Sequence, residues 1–126
     1  MRILIDTHIL IWLLNGDFQL SIDRREKLVD PANRVIISIA SFWEIAIKSS
    51  RGKLSLAKSI EDIFSEIDRT SSTILSIEPE HTLQVSRLPF HHKDPFDRMI
   101  IAQAMVEGVP LMSTDHDFIA YGVDLL

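Results

Sequence analysis

Short apolar runs alternate with helical repeats along this chain, and that alternation constrains its fold more than any other feature. Ile3-Leu4-Ile5, Val35-Ile36-Ile37-Ser38-Ile39, Ile74-Leu75-Ser76-Ile77 and Pro110-Leu111-Met112-Ser113-Thr114 are too continuously apolar for strands with one wet face. Each suits a strand covered on both sides. Helical segments lie between them. Thr7 to Asn15 is stopped by Gly16, and Ser21 to Asp30 (Ile22, Leu28 and Val29 inward) is ended by Pro31. Ser41 to about Gly52, Ile60 to Thr70 and Pro79 to Ser86 follow. From Pro95 a further helix is apolar nearly all the way round, so it should be buried, until Gly108 stops it. Such alternation implies parallel strand pairing, with helices on both faces and right-handed crossovers. The fold class is therefore α/β, with four parallel strands and Tyr121 to Leu125 as a candidate fifth at the sheet edge.

At 126 residues the chain reads as one domain, residues 1–126, with no linker, repeat or low-complexity stretch to divide it. It has no cysteine, which excludes disulfides and thiolate metal sites and fits a reducing cytosol. The opening apolar stretch is interrupted by Asp6 and His8, and Asn15-Gly16-Asp17 is no small-residue cleavage site, so it does not read as a signal peptide. No run approaches the ~20 apolar residues of a membrane span. The expectation is a cytosolic protein, mature as written. Its formal charge of −5 does not attract phosphate backbones. Handling nucleic acid would need a local basic patch, bound cations, or both.

In an open parallel sheet, ligands bind outside the carboxyl ends of the strands, and the acidic residues fall there. Asp6 follows the first strand directly. Asp115 follows the fourth, with Asp117 two residues on, and Asp97 lies in the first turn of the helix that precedes that strand. Glu44 lies in the first turn of the helix after the second strand. Carboxylates converging on one edge repel unless protonated or bridged by cations, and an all-oxygen donor set suits Mg²⁺ or Mn²⁺. Each acid also has a structural explanation. Asp6 suits the N-cap of the next helix, Asp97 at N3 complements a helix dipole, and Asp115 can cap a turn at His116-Asp117-Phe118. Ser41-x-x-Glu44 has the form of a capping box, with Lys48 as an i, i+4 partner for Glu44.

His91 and His92 do not form a zinc site, since adjacent residues rarely share an ion and neither His-x-x-x-His nor cysteine accompanies them. With Lys93 and Arg98 they read as a cationic rim able to meet phosphate; a solvated loop is the alternative for the two histidines. His8 reads as packed or hydrogen-bonded, and Trp12 and Trp43 as core. The phosphate-binding, dinucleotide and nucleophile-elbow motifs G-x-x-x-x-G-K-[ST], G-x-G-x-x-G and G-x-S-x-G are absent, which removes those function classes.

Taken together, Leu4-Ile5-Asp6-Thr7-His8, the Ser41-Phe42-Trp43-Glu44-Ile45-Ala46-Ile47-Lys48 helix with Gly52-Lys53-Leu54 after it, His92-Lys93-Asp94-Pro95-Phe96-Asp97-Arg98 with Ile101-Ala102-Gln103-Ala104, and Ser113-Thr114-Asp115-His116-Asp117-Phe118 resemble, in order and spacing, a PIN domain of the VapC type, the toxins of bacterial toxin–antitoxin pairs. The likeness covers essentially the whole chain. It implies a three-layer α/β/α sandwich and a Mg²⁺- or Mn²⁺-dependent ribonuclease. Carried over by position, it implies the acidic set Asp6, Glu44, Asp97 and Asp115, with Asp117 a possible addition. Thr7 and Ser113 or Thr114 match the supporting hydroxyls. It implies homodimers and a cognate antitoxin that blocks the acidic groove.

Metal-activated water attacking in line leaves a 5′-phosphate and a 3′-hydroxyl and needs no nucleophilic side chain. Two other classes stand beside this one. A phosphoryl-transfer domain needs an Asp-x-Asp-x-Thr nucleophile motif, from which Asp6-Thr7-His8-Ile9 departs at the third position. A non-catalytic module would use the same carboxylates to grip a basic partner.

Overall fold

In the computed structural model, which describes residues 1–52 and 58–126, four parallel strands form one sheet in the order β3-β2-β1-β4. The elements run β1 (Arg2–Ile5), α1 (Thr7–Asn15), α2 (Ile22–Val29), β2 (Arg34–Ser38), α3 (Ile39–Ser50), α4 (Ile60–Asp68), β3 (Thr73–Leu75), α5 (Pro79–Arg87), α6 (Pro95–Glu107) and β4 (Leu111–Met112), then a 3₁₀ helix (His116–Tyr121). Lys53-Leu54, which contributed to the family likeness, lie outside the described residues.

Period-two alternation in the central strands separates two apolar layers. Ile3, Ile5, Val35 and Ile37 face one, with Ile9, Leu10, Ile45, Ile63 and Ile67. Leu4 and Ile36 face the other, with Ile100, Ile101, Ala104 and Phe118. That is the three-layer sandwich, and it explains why these strands lack polar residues. Each fully buried Ile or Leu here contributes roughly 1.5–3 kcal/mol.

Several sequence expectations need correction. The fourth strand is only two residues long, and the candidate fifth reduces to a single parallel bridge between Leu111 and Leu125. Of the residues expected inward on α2, only Leu28 is buried; Ile22 and Val29 are 75% and 65% exposed. A short, strongly charged helix at the margin reaches the core with one side chain and leaves its other apolar residues in water. Trp43 is 57% exposed, because Glu44 and Ile45 take the inward positions and Trp43 rests edge-on against Phe96 with centroids 5.1 Å apart. His8 is exposed beside Trp12.

Helix α3 begins at Ile39, not Ser41. Ser38, the last residue of β2, caps it by accepting the Ala40 amide at 2.9 Å. The Ser41-x-x-Glu44 capping box is therefore not formed, and Glu44 lies in the second turn rather than the first. Helix α6 starts as its sequence suggests. Asp94 accepts the amides of Phe96 (2.8 Å) and Asp97 (3.0 Å), Pro95 occupies the first position, and Gly108 ends the helix in a left-handed conformation (φ 64°).

Candidate functional site

The strand order places β1 between β2 and β4, so the carboxyl ends of those three strands open into one crevice. Asp6 leaves β1 beside the end of β4, its amide bonded to the Met112 carbonyl at 3.2 Å. Its Oδ1 accepts the Ile9 amide at 2.8 Å, so Asp6 caps α1. Glu44 projects in from α3, Asp97 from the first turn of α6, and Asp115 from the loop after β4. Asp6, Glu44 and Asp97 are all buried. The carboxylates that lie far apart in sequence are thus brought together.

Two of them, Asp6 and Asp97, have raised pKa values, through burial first and repulsion second. Burial raises Asp6 above the ordinary carboxylate range, and the Glu44 charge adds to this, while the Ser113 hydroxyl, the Ile9 amide and His8 work against it. Asp97 is pushed up to about 7, first by burial and then by the charges of Asp94, Glu44 and Asp6, with His92 opposing. Asp97 is not occupied as a cap; Asp94 does that.

Glu44 pairs with Lys48 through Oε2 at 2.5 Å. Its Oε1 is buried with no hydrogen-bond partner, the only such side-chain atom among the described residues. An orphan buried acceptor of this kind costs about 1–3 kcal/mol unless something arrives to satisfy it. Lys48 is made more basic: burial lowers its pKa, but the hydrogen bond to Glu44 and the charges of Glu44, Asp94 and Asp97 outweigh this. Beside Glu44 a cleft runs between α1 and α3, lined by Thr7, His8, Trp12 and Lys48.

The supporting hydroxyls divide unequally. Thr7 is buried and its Oγ1 meets Ser41 Oγ at 2.9 Å, tying α1 to α3 beneath the acids. At the end of β4 it is Ser113, not Thr114, that is buried, accepting the Asp115 amide at 3.1 Å, while Thr114 is exposed. Asp115 Oδ1 accepts the Asp117 amide at 2.9 Å, which starts the 3₁₀ helix as anticipated; Asp117 itself is exposed.

The expected cationic rim is not formed as described. Arg98 is buried and turned away from the acids. Its guanidinium donates to the carbonyls of Pro89 (2.9 Å), Val85, Leu88 (3.3 Å each) and His92 (3.4 Å), and to Tyr121 Oη (3.3 Å). It buckles the loop between α5 and α6 and cannot meet a phosphate. His91 and Lys93 are exposed.

His92 is the site residue whose position sequence reasoning missed. Its Nε2 lies 2.9 Å from Asp115 Oδ2 and 3.0 Å from Asp97 Oδ2, in the middle of the acids rather than at their edge. Burial lowers its basicity, but the hydrogen bond with Asp115 and the charges of Asp97, Asp115 and Asp117 outweigh that and raise it. A second proton would have to sit on Nδ1, which already accepts the Asp94 amide at 3.1 Å, so the geometry accommodates the neutral ring. The one available signal was local: a histidine two residues before an N-capping aspartate can fold back onto that amide.

The donor set suits a hard divalent cation: carboxylate oxygens, one of them buried without a partner. Mg²⁺ or Mn²⁺ fits it.

The PIN domain family model matches residues 3–123. No curated protein matches the sequence at a significant level. Among solved structures, VapBC2 from Rickettsia felis, bound to a DNA fragment from its promoter, superposes with a TM-score of 0.74 at 18% identity, covering 100% of this chain and 98% of that one. VapBC-1 from nontypeable Haemophilus influenzae gives 0.70 at 19%, covering 100% and 97%. VapC20 of Mycobacterium tuberculosis, described as a sarcin-ricin loop cleaving toxin, gives 0.69 at 17%, covering 96% and 95%.

Proposed function

Because this chain belongs to the PIN domain family, we propose that it is a VapC-type toxin, a single-domain ribonuclease that hydrolyses RNA phosphodiester bonds with Mg²⁺ or Mn²⁺. Asp6, Glu44, Asp97 and Asp115 would hold the cation, with Asp117 at the outer edge. One observation carries this most directly: a buried Glu44 oxygen without a partner beside an Asp97 whose pKa is pushed to about 7. A cation would satisfy the first and stabilise the ionised form of the second.

A bound divalent cation would polarise the scissile phosphate and make water at the site more acidic. The side chains supply the rest. Asp97, at the start of α6 and in the field of Asp6 and Glu44, suits orienting the attacking water. Asp6 has one oxygen committed to the α1 cap, which restrains its carboxylate and leaves the other oxygen to hold the cation. Thr7 and Ser41 hold α1 and α3 in register beneath Asp6 and Glu44. In-line attack by water leaves a 5′-phosphate and a 3′-hydroxyl.

The partners follow from the same reading. Several superposed structures are toxin–antitoxin complexes, which supports a cognate antitoxin; its seat over the acidic crevice and a homodimer as the working form are parts of the proposal that the family resemblance implies. No helix among the described residues is long and apolar enough to cross a membrane; a cytoplasmic location belongs to the proposal.

Purified protein incubated with single-stranded RNA and millimolar Mn²⁺ should give products carrying 5′-phosphates, and excess EDTA should stop the reaction. Full cleavage in EDTA, or 2′,3′-cyclic ends, overturns the mechanism.

A further inference from the structure

His92 stands between acids from two elements, and its hydrogen bonds define its protonation. Nδ1 accepts the Asp94 backbone amide at 3.1 Å, so that nitrogen carries no proton and the ring hydrogen is on Nε2. Nε2 hydrogen-bonds Asp115 Oδ2 at 2.9 Å and lies within ion-pair distance of Asp97 Oδ2, at 3.0 Å. By distance alone His92, Asp115 and Asp117 make a candidate three-ligand cation group, with ligand atoms within 4.8 Å of one another. The tautomer removes His92 from it, since a protonated Nε2 has no lone pair to offer.

We propose that His92 is a positioning residue, not a metal ligand: its Nε2–H draws Asp115 and Asp97 toward one point and holds the β4 end and the α6 start together as one cation-binding face. This rests on the reading of the acids as a nuclease metal centre. The ring is held firmly enough for such work. The backbone amides of His91 and His92 donate to Tyr121 Oη (3.0 and 2.8 Å), and that hydroxyl donates to the Pro89 carbonyl at 2.9 Å. Arg98 binds the His92 carbonyl, and the imidazole packs edge-on against Phe118 with centroids 5.6 Å apart. Arg98 and Tyr121 thus fix the loop, the loop fixes His92, and His92 fixes the two carboxylates. Partners that orient metal-binding carboxylates in this way typically govern 10–100-fold of metal affinity or activity.

The test has two parts on the full chain. Long-range nitrogen–proton spectra of the imidazole, without metal and with Mg²⁺, should show His92 as the Nε2–H tautomer in both. A proton on Nδ1 with none on Nε2, or loss of the Nε2 proton on adding cation, frees Nε2 to act as a ligand and overturns the proposal. Mn²⁺ titration of wild type, His92→Ala and His92→Gln should show affinity falling about 10–100-fold in His92→Ala. It should largely return in His92→Gln, whose amide can donate from near the Nε2 position, and kcat should follow the same order. Unchanged Mn²⁺ affinity in His92→Ala, or no recovery in His92→Gln, also overturns it. If His92→Ala does not fold, the tautomer and the glutamine variant still decide. Neither cation binding nor the tautomer involves RNA, so a protein that passes both and cleaves no RNA refutes the nuclease reading alone.

Discussion

Asp97 and Arg98 are consecutive, both buried (7% and 6% exposed), and oppositely charged, yet the fold treats them in opposite ways. Neighbours on a helix point to different sides, so they do not pair. Arg98 turns toward the α5–α6 loop and finds four carbonyls and a hydroxyl. Asp97 turns toward Asp6 and Glu44, where its charge is resisted and its pKa rises to about 7. One buried charge is resolved within the chain; the other waits for something from outside. That contrast separates a residue that holds the fold from one that equips a site.

The sharpest way to break the comparison is to neutralise each member. Asp97→Asn should lower RNA cleavage by roughly two to four orders of magnitude, read as initial rates, while thermal melting at neutral pH holds steady or rises by about 0.5–2 kcal/mol. A loss of stability in that variant would show that Asp97 serves the fold as Arg98 does. Arg98→Leu should do the reverse first, costing about 2–4 kcal/mol in denaturant unfolding because the carbonyls it gathers lose their donors. Arg98→Lys should recover little, since an ammonium cannot fork among them.

A pH series sharpens the contrast further. Asp97 is raised from 3.8 to about 7, so the protonated form favours the fold. Its stabilising contribution is complete below the ordinary carboxylate pKa and disappears as pH climbs through about 7. Added Mn²⁺ at a hundred times its dissociation constant should therefore stabilise by about 2.7 kcal/mol near pH 8, with a smaller gain near pH 5.5, where protons compete for the same oxygens. Equal shifts at both pH values would place the cation elsewhere. The smallest effect separates the two hydroxyls after β4. Ser113→Ala should reduce cleavage several-fold, whereas Thr114→Ala should stay within about 0.5 kcal/mol of wild type in every assay.

What the sequence disclosed follows the same division. The three-layer sheet was legible because Ile3-Leu4-Ile5 and Val35-Ile36-Ile37 are apolar on both faces, which only a sheet covered on both sides allows. Asp6 and Asp115 were legible because each directly follows a parallel strand, and Asp97 and Glu44 because each lies near the start of a helix that adjoins such a strand. Side chains that point by tertiary agreement were not. Arg98 looked like a phosphate contact because nothing local says that the α5–α6 loop turns its carbonyls toward it. His92 looked peripheral because its partners, Asp97 and Asp115, come from separate elements. Ser41 read as a cap because capping boxes are judged on spacing, and Ser38, still inside the strand by pattern, took the part three residues earlier. Trp43, Ile22 and Val29 looked like core because size and apolarity were the only local evidence.

The pairing of β1 with β4 also sets a clock. Asp115 is made more than a hundred positions after Asp6. At roughly 5–20 residues per second, synthesis separates them by about 5–20 s. Through that interval the growing polypeptide carries Asp6 and Glu44 but not the edge strand that completes the crevice. A crevice built this way cannot be completed until β4 has been made, and a product cut short before β4 lacks it altogether.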